Sequence, residues 1–200
     1  RKEGYDERII ECAEKEFLEK GYNDASLRRI ANSAGVSTST IYTRFKDKEG
    51  LFLYLIEPTS ELPLWLENKL QDYFSMDVEK QKKLYKKSGD TGYAALIDII
   101  YDHYNPYKLL VSCSPGNVYE DYLENIVAID TKYTLKYLEE LGSKALLGGQ
   151  INEEFCHVVS TGFYSALFHC LVHDMTREEA HRYTDELRAF YGRGWKEYFR

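Results

Sequence analysis

Thr38, Ser39, Thr40, Tyr42, Thr43 and Arg44 place five hydroxyls and a guanidinium within seven consecutive residues. If the segment is helical, Ile41 and Phe45 turn inward and these groups share the outward face. Short side chains let a helix backbone come close to the edges of base pairs. Ser and Thr hydroxyls both donate and accept there, and a Thr methyl packs on a thymine methyl. The Tyr42 hydroxyl and the cations Arg44 and Lys48 are suited to phosphate oxygens instead. Lys48 also stands near the start of a following helix, whose free N–H groups attract an anion. This is the chemistry of duplex recognition.

Residues that could serve turnover or metal binding do not assemble in the same way. His169 and His173 are four apart with Cys170 between them and Cys156-His157 upstream. Helical histidines at that spacing can hold zinc, but no acidic third ligand has a fixed place. Neither Gly162-Phe163-Tyr164-Ser165 nor Ser112-Cys113-Ser114-Pro115-Gly116 completes a G-x-S-x-G elbow. No phosphate loop or dinucleotide fingerprint occurs. The expectation is a protein with no catalytic centre, no cofactor and no metal. Cys12, Cys113, Cys156 and Cys170 form no C-x-x-C pair, which fits buried free thiols in a reducing cytoplasm. No run of eighteen uncharged apolar residues predicts a membrane span, and no signal-like apolar stretch opens the sequence.

The elements that must position the polar face are helices. Apolar residues make up 44% of the 200 residues and recur at helical spacing, and only four prolines interrupt them. The chain is expected to be all-α, with a helix-turn-helix domain over 1–50 and a helical domain over 51–200. In the first helix, from about Asp6 to Lys20, Ile9, Ile10, Ala13, Phe17 and Leu18 fall on one face, and Gly21 is the C-terminal cap candidate. Ser26 is an N-cap candidate for a second helix over 27–33. Gly35-Val36 makes the turn, and Ser37 caps a third helix over about 38–45.

The net charge of −7 divides unevenly. Residues 1–50 hold ten Lys+Arg and ten Asp+Glu, so residues 51–200, with 16 and 23, carry all of it. Within 26–50, Arg28, Arg29, Arg44, Lys46 and Lys48 outnumber Asp47 and Glu49. Phosphate attraction follows this local balance, because charges beyond about 10 Å are screened at ordinary salt. The acidic remainder would orient the N-terminal end toward a duplex.

With those residues in view, the run from Ile9 to Phe52 resembles the N-terminal domain of the TetR family of bacterial transcriptional regulators. The shared features are Ala13, Phe17, Gly21-Tyr22, Ser26, Ile30-Ala31, Ala34-Gly35-Val36-Ser37, Ile41-Tyr42, Phe45, Lys48 and Leu51-Phe52. The resemblance implies a homodimer on double-stranded DNA with a palindromic operator, Thr38 to Tyr42 in the groove, and Tyr42 and Lys48 against the backbone. Ser26, Arg28, Ser37, Thr38, Ser39, Thr40, Tyr42, Arg44 and Lys48 are the expected DNA-binding set. The Ser/Thr run at 37–40 departs from the family's frequent Gly or Lys there, so base preference is not readable.

Beyond residue 50, Pro58 should end or kink the fourth helix, and 57–60 is either the link between the two domains or an ordinary loop. Helices are expected over 64–74, 91–104 (broken by Asn105-Pro106), 107–113, 118–141, 152–174 and from Thr176 to about Tyr191. Lys80, Lys82, Lys83, Lys86 and Lys87 read as a solvated face. Tyr119, Tyr122, Ile126, Ile129, Tyr133 and Tyr137 form a stripe of the kind that more often serves as core, though tyrosine's polar handle also suits the wall of a small-molecule pocket. The resemblance implies an effector cavity in this half, and the expected lining is Tyr101, Tyr104, Cys113, Tyr122, Ile126 and Phe163. The 152–174 helix is apolar on nearly all sides, so one face is expected to meet a second subunit. Phe155, Val159, Gly162, Ala166, Cys170, Tyr183 and Leu187 are the expected interface. The resulting expectation is a cytoplasmic, ligand-responsive repressor released by a small apolar or aromatic molecule. Control by a protein partner without an inducer, and an enzyme on a helical scaffold, are the competing readings.

Overall fold

The structure, a computed structural model, describes residues 3–77, 80–81 and 91–198. Among them every regular element is helical. In chain order these are α1 (Glu3–Asp24), α2 (Leu27–Ala34), α3 (Thr38–Phe45), α4 (Lys48–Ile56), a 3₁₀ turn (Glu57–Ser60), α5 (Glu61–Phe74) and α6 (Thr91–Asp102). They continue as α7 (Tyr104–Cys113), α8 (Val118–Glu140), α9 (Lys144–Leu147), α10 (Glu153–Val172) and α11 (Arg177–Trp195). The chain divides into two compact units, one built from residues up to Ser60 with His103–Tyr119, the other from Glu61–Asp102 with the residues after Tyr119.

The first unit closes on Ile9, Ala13 and Phe17 of α1, Ile30, Ala31 and Ala34 of α2, Ile41 of α3, and Leu51 and Phe52 of α4. Phe17, Tyr22 and Phe52 pack ring against ring, with the Phe52 ring edge-on to both others at 5.3 and 5.4 Å. α4 and α7 belong to this unit as well, beyond the expected boundary at residue 50. The buried Tyr107 of α7 donates its hydroxyl to the Thr59 carbonyl at 3.3 Å. Gly21, at φ 70° and ψ 169°, interrupts α1 where a cap was expected, and one further turn follows it. α6 ends at Asp102, two residues short of the expected 104, and His103 makes the break. Pro106 then falls in the first turn of α7, where its missing N–H costs no intrahelical bond.

In the second unit, α6 and α11 are tied by Arg177 to Asp102 at 2.6 Å and His181 to Asp98 at 3.0 Å. The helix starts carry the caps their sequences imply. Asn152 accepts from the Phe155 N–H at 2.9 Å, and Thr176 with Glu179 forms a reciprocal capping box. The tyrosine stripe of α8 is drawn into packing: Tyr122 lies against Phe168, and Tyr133 and Tyr137 against Phe74. α10 is long and apolar enough to cross a membrane by length and composition alone. Here its Cys156, Leu167, Phe168, Cys170 and Leu171 are core. Lys80 pairs with Asp77; Lys82, Lys83, Lys86 and Lys87 lie outside the described residues.

One polar cluster sits between α8 and α10. The Asp130 carboxylate accepts hydrogen bonds from the Ser160 hydroxyl at 2.6 Å and the Tyr164 hydroxyl at 3.3 Å. Burial pushes its carboxyl above the ordinary range, and those two bonds only partly oppose the shift. The native state therefore binds this proton more tightly than the unfolded chain, and its stabilising effect is fullest below the unfolded value of about 4. Stability should fall as pH rises from there through the native pKa. Asp130→Asn keeps an acceptor for Ser160 and removes the charge. Urea unfolding across mildly acid to neutral pH should show the decline flattened in that variant.

Candidate nucleic-acid interface

The third helix is set by local chemistry at both ends. Gly35, at φ 69° and ψ 34°, ends α2 in the left-handed conformation. The Val36 N–H reaches back to the Ala31 carbonyl at 3.0 Å, closing a Schellman-type turn. Ser37 is extended and its hydroxyl accepts from the Thr40 N–H at 3.3 Å, the expected N-cap. The same oxygen lies 2.7 Å from the Ser39 hydroxyl and 2.9 Å from that of Thr40. Ile41 is fully buried, which turns Ser39, Tyr42 and Thr43 outward, with Tyr42 53% exposed. The hydroxyl-rich start of α3 is thus exposed with its donors held in a connected set.

Ser26 differs from its expected role. Its backbone is extended at the start of α2, but its side chain caps nothing. The Glu16 carboxylate, ten residues upstream, takes the Ser26 N–H at 3.0 Å and the Arg29 Nε at 2.7 Å. Burial pushes the Glu16 carboxyl up, and the bonds from Arg29 and Ser26 outweigh it and hold it below its ordinary range. Asp47, not among the expected site residues, caps α4 by accepting the Gly50 N–H at 2.7 Å. Its position three residues before that N–H was a readable local signal; Glu16 reaches Ser26 only through the fold.

Three of the five cations in 26–50 are engaged inside the unit. Arg29 is bonded to Glu16 and to the Asp24 carbonyl. Arg44 pairs with Asp6 of α1. The Lys48 ammonium donates to the carbonyls of Tyr22, Asn23 and Ala25 at 2.7, 3.2 and 3.1 Å, and lies 4.5 Å from the centre of the Tyr22 ring. All three of its N–H groups therefore face protein carbonyls. Arg28 and Lys46 are exposed, with no ion pair or side-chain hydrogen bond among the described residues.

Lys46 sits in an uncommon backbone. At φ 71° and ψ −53° it is the centre of a γ-turn, with the Asp47 N–H bonded to the Phe45 carbonyl at 2.8 Å. A side-chain-bearing residue there stores roughly 1–3 kcal/mol. The turn folds α4 back onto the end of α3 so closely that a β-carbon on Gly50 would stand 2.0 Å from the Phe45 carbonyl oxygen.

The expected effector residues separate between the units. Tyr104 and Cys113 fall in the first, and Tyr101, Tyr122, Ile126 and Phe163 in the second. Ile126 is wholly enclosed, Phe163 is buried beneath Tyr93 and Tyr191, and the Tyr101 hydroxyl is committed to the Met175 carbonyl at 2.8 Å. A shallow cavity of about 580 Å³ in the second unit is lined instead by Glu124, Ala128, Thr131, Lys132, Glu153 and His157 among others, none of them an expected effector residue. Of the expected interface residues, Gly162 is exposed and Phe155, Val159, Ala166, Tyr183 and Leu187 are half-buried. Cys170 is enclosed by its own chain and offers no surface to another. Val158 and Phe190, unforeseen, are 62% and 73% exposed. The Cys156 thiol is pushed up to about 11, chiefly by burial, so it is inert at neutral pH.

Residues 9–55 match the family model for bacterial regulatory proteins of the tetR family. An HTH-type transcriptional regulator of Staphylococcus aureus strain bovine RF122 / ET3-1 is 34% identical over 76 residues, 38% of this chain and 41% of the relative. A counterpart in strain USA300 is 33% identical over 73 residues, 36% and 40% of the two chains. The chain thus matches about two fifths of the length of these curated relatives. Among solved structures, the fatty acid degradation regulator FadR of Bacillus halodurans aligns with a TM-score of 0.53 at 16% identity, covering 92% of this chain and 95% of that one. A protein of Mesorhizobium loti MAFF303099 described as a TetR-family transcriptional regulator gives 0.53 at 20% identity, with 96% of each chain covered. The chain carries the N-terminal domain of the tetR family, and its fold is that of TetR-family regulators.

Gly50→Ala should lower stability by more than about 2 kcal/mol, because the obstructing atom is backbone and cannot rotate away. Thermal unfolding followed by circular dichroism measures the loss. Gly92→Ala, a helical position where nothing stands within 4 Å of the added carbon, is the control and should leave stability equal or slightly higher.

Proposed function

We propose that this chain, on the strength of its tetR-family N-terminal domain, binds double-stranded DNA as a homodimer and regulates transcription as a repressor. The observation that carries the reading is the exposed start of α3, where the Ser37 hydroxyl is hydrogen-bonded to those of Ser39 and Thr40 beside the projecting Tyr42. Hydroxyls already ordered on a rigid helix meet base edges without a further entropic cost. In this reading Thr38, Ser39 and Thr40 face bases, Ser37 and Tyr42 lie nearer the phosphates, and Arg28 supports from α2. Two such heads on a two-fold axis would enter major grooves about 34 Å apart on a palindromic operator.

The exposed Val158 and Phe190 support a second copy as the partner of α10 and α11. A small apolar or aromatic effector would act in the second unit by binding the DNA-competent and DNA-incompetent states unequally. The packing of Ile126, Tyr122 and Phe163 against their own chain favours the second reading, control by a partner protein without an inducer. A cytoplasmic location follows from work on DNA.

Selection of bound duplexes from a random pool by the full chain tests the reading. A palindromic consensus is expected. Thr38→Ala or Ser39→Ala should change the preferred bases at the affected positions, by about 1–3 kcal/mol of discrimination each. Recovery of no enriched sequence, with the protein monomeric in solution, would overturn the proposal.

A further inference from the structure

We propose that Lys46, and not Lys48, is the cation at the C-terminal end of α3 that engages the DNA backbone. The inference rests on the DNA-binding reading and assigns a residue within it. Lys48 is already saturated: its ammonium donates to three carbonyls and covers the Tyr22 ring. A phosphate contact from Lys48 would require breaking bonds that close the end of α1. Arg44 is likewise held by Asp6 and only 24% exposed. Lys46 is two residues from both, exposed, and without a side-chain partner among the described residues.

The backbone supplies the independent observation. Lys46 occupies the centre of a positive-φ γ-turn, a conformation that glycine adopts far more readily. A lysine there gives no packing in return, since it is exposed. Strained positions of this kind collect where a side chain is needed for function. An ammonium on a flexible stem, leaving the chain just past the last residue of α3, has the chemistry of a point contact to a phosphate oxygen. Lys48 then becomes a positioning residue, acting through the end of α1.

The test uses the full chain and a mixed-sequence duplex several helical turns long, with binding followed by fluorescence anisotropy against KCl concentration. Lys46→Ala should lower the slope of log K against log salt by roughly 0.9 for each phosphate left unneutralised, with the melting temperature unchanged. Lys46→Gly should show the same shallower slope while melting at an equal or higher temperature, which separates charge from turn geometry. Lys46→Arg should restore the slope. Lys48→Met should lower the melting temperature and, at a temperature where the head is folded, retain the wild-type slope. An unchanged slope in Lys46→Ala beside a steep wild-type slope overturns this assignment alone. A wild-type chain that ignores the duplex at low salt overturns the DNA-binding reading itself.

Discussion

The geometry of the first unit depends on where the Lys48 ammonium goes. Gly21 breaks α1, leaving carbonyls near its end that the helix ladder does not satisfy. Lys48, the first residue of α4, gathers the Tyr22, Asn23 and Ala25 carbonyls onto one cation, which also suits the negative end of the helix. The Phe17, Tyr22 and Phe52 rings pack beneath the same junction. α2 and α3 lie in sequence between the two joined ends. Fixing α1 to α4 therefore fixes the frame in which α3 is displayed, and the Glu16 bonds to Ser26 and Arg29 repeat the device at the start of α2.

The positive charge of this segment consequently divides by role. Counting cations in 26–50 overstates what is available to a ligand, because Arg29, Arg44 and Lys48 are spent on Glu16, Asp6 and main-chain carbonyls. The remaining exposed pair, Arg28 and Lys46, lies in the first turn of α2 and just past the end of α3. The hydroxyls on α3 are treated differently. They bond mainly to each other and to their own helix, as Thr43 does to the Ser39 carbonyl, and they keep acceptor capacity for an incoming partner.

Local signals were legible and long-range ones were not. Gly35 and Ser37 work through backbone groups within a few residues, so their types and spacing announced the turn and the cap. The resemblance over Ile9 to Phe52 matched the same stretch that the family model covers. Glu16 with Ser26, Asp6 with Arg44 and Lys48 with Tyr22 are separated by ten, 38 and 26 residues. No periodicity reports such pairs, and Lys48 was accordingly expected to face outward. In the second unit, the tyrosine stripe read as core more readily than as pocket wall, but its packing partners, Phe74 and Phe168, are neighbours that spacing does not reveal. The Asp130 cluster was invisible for the same reason.

The central claim is that a head braced by Lys48 presents α3 and its following turn to a duplex. Backbone amide shifts of the full chain, followed by NMR as duplex DNA is added at low salt, test it most directly. The account predicts that the largest changes fall on residues 37–46 and at Arg28, with the amides at the end of α1 keeping their free-state positions. Changes confined to residues after Glu61, or a uniform absence of change at saturating duplex, would contradict it.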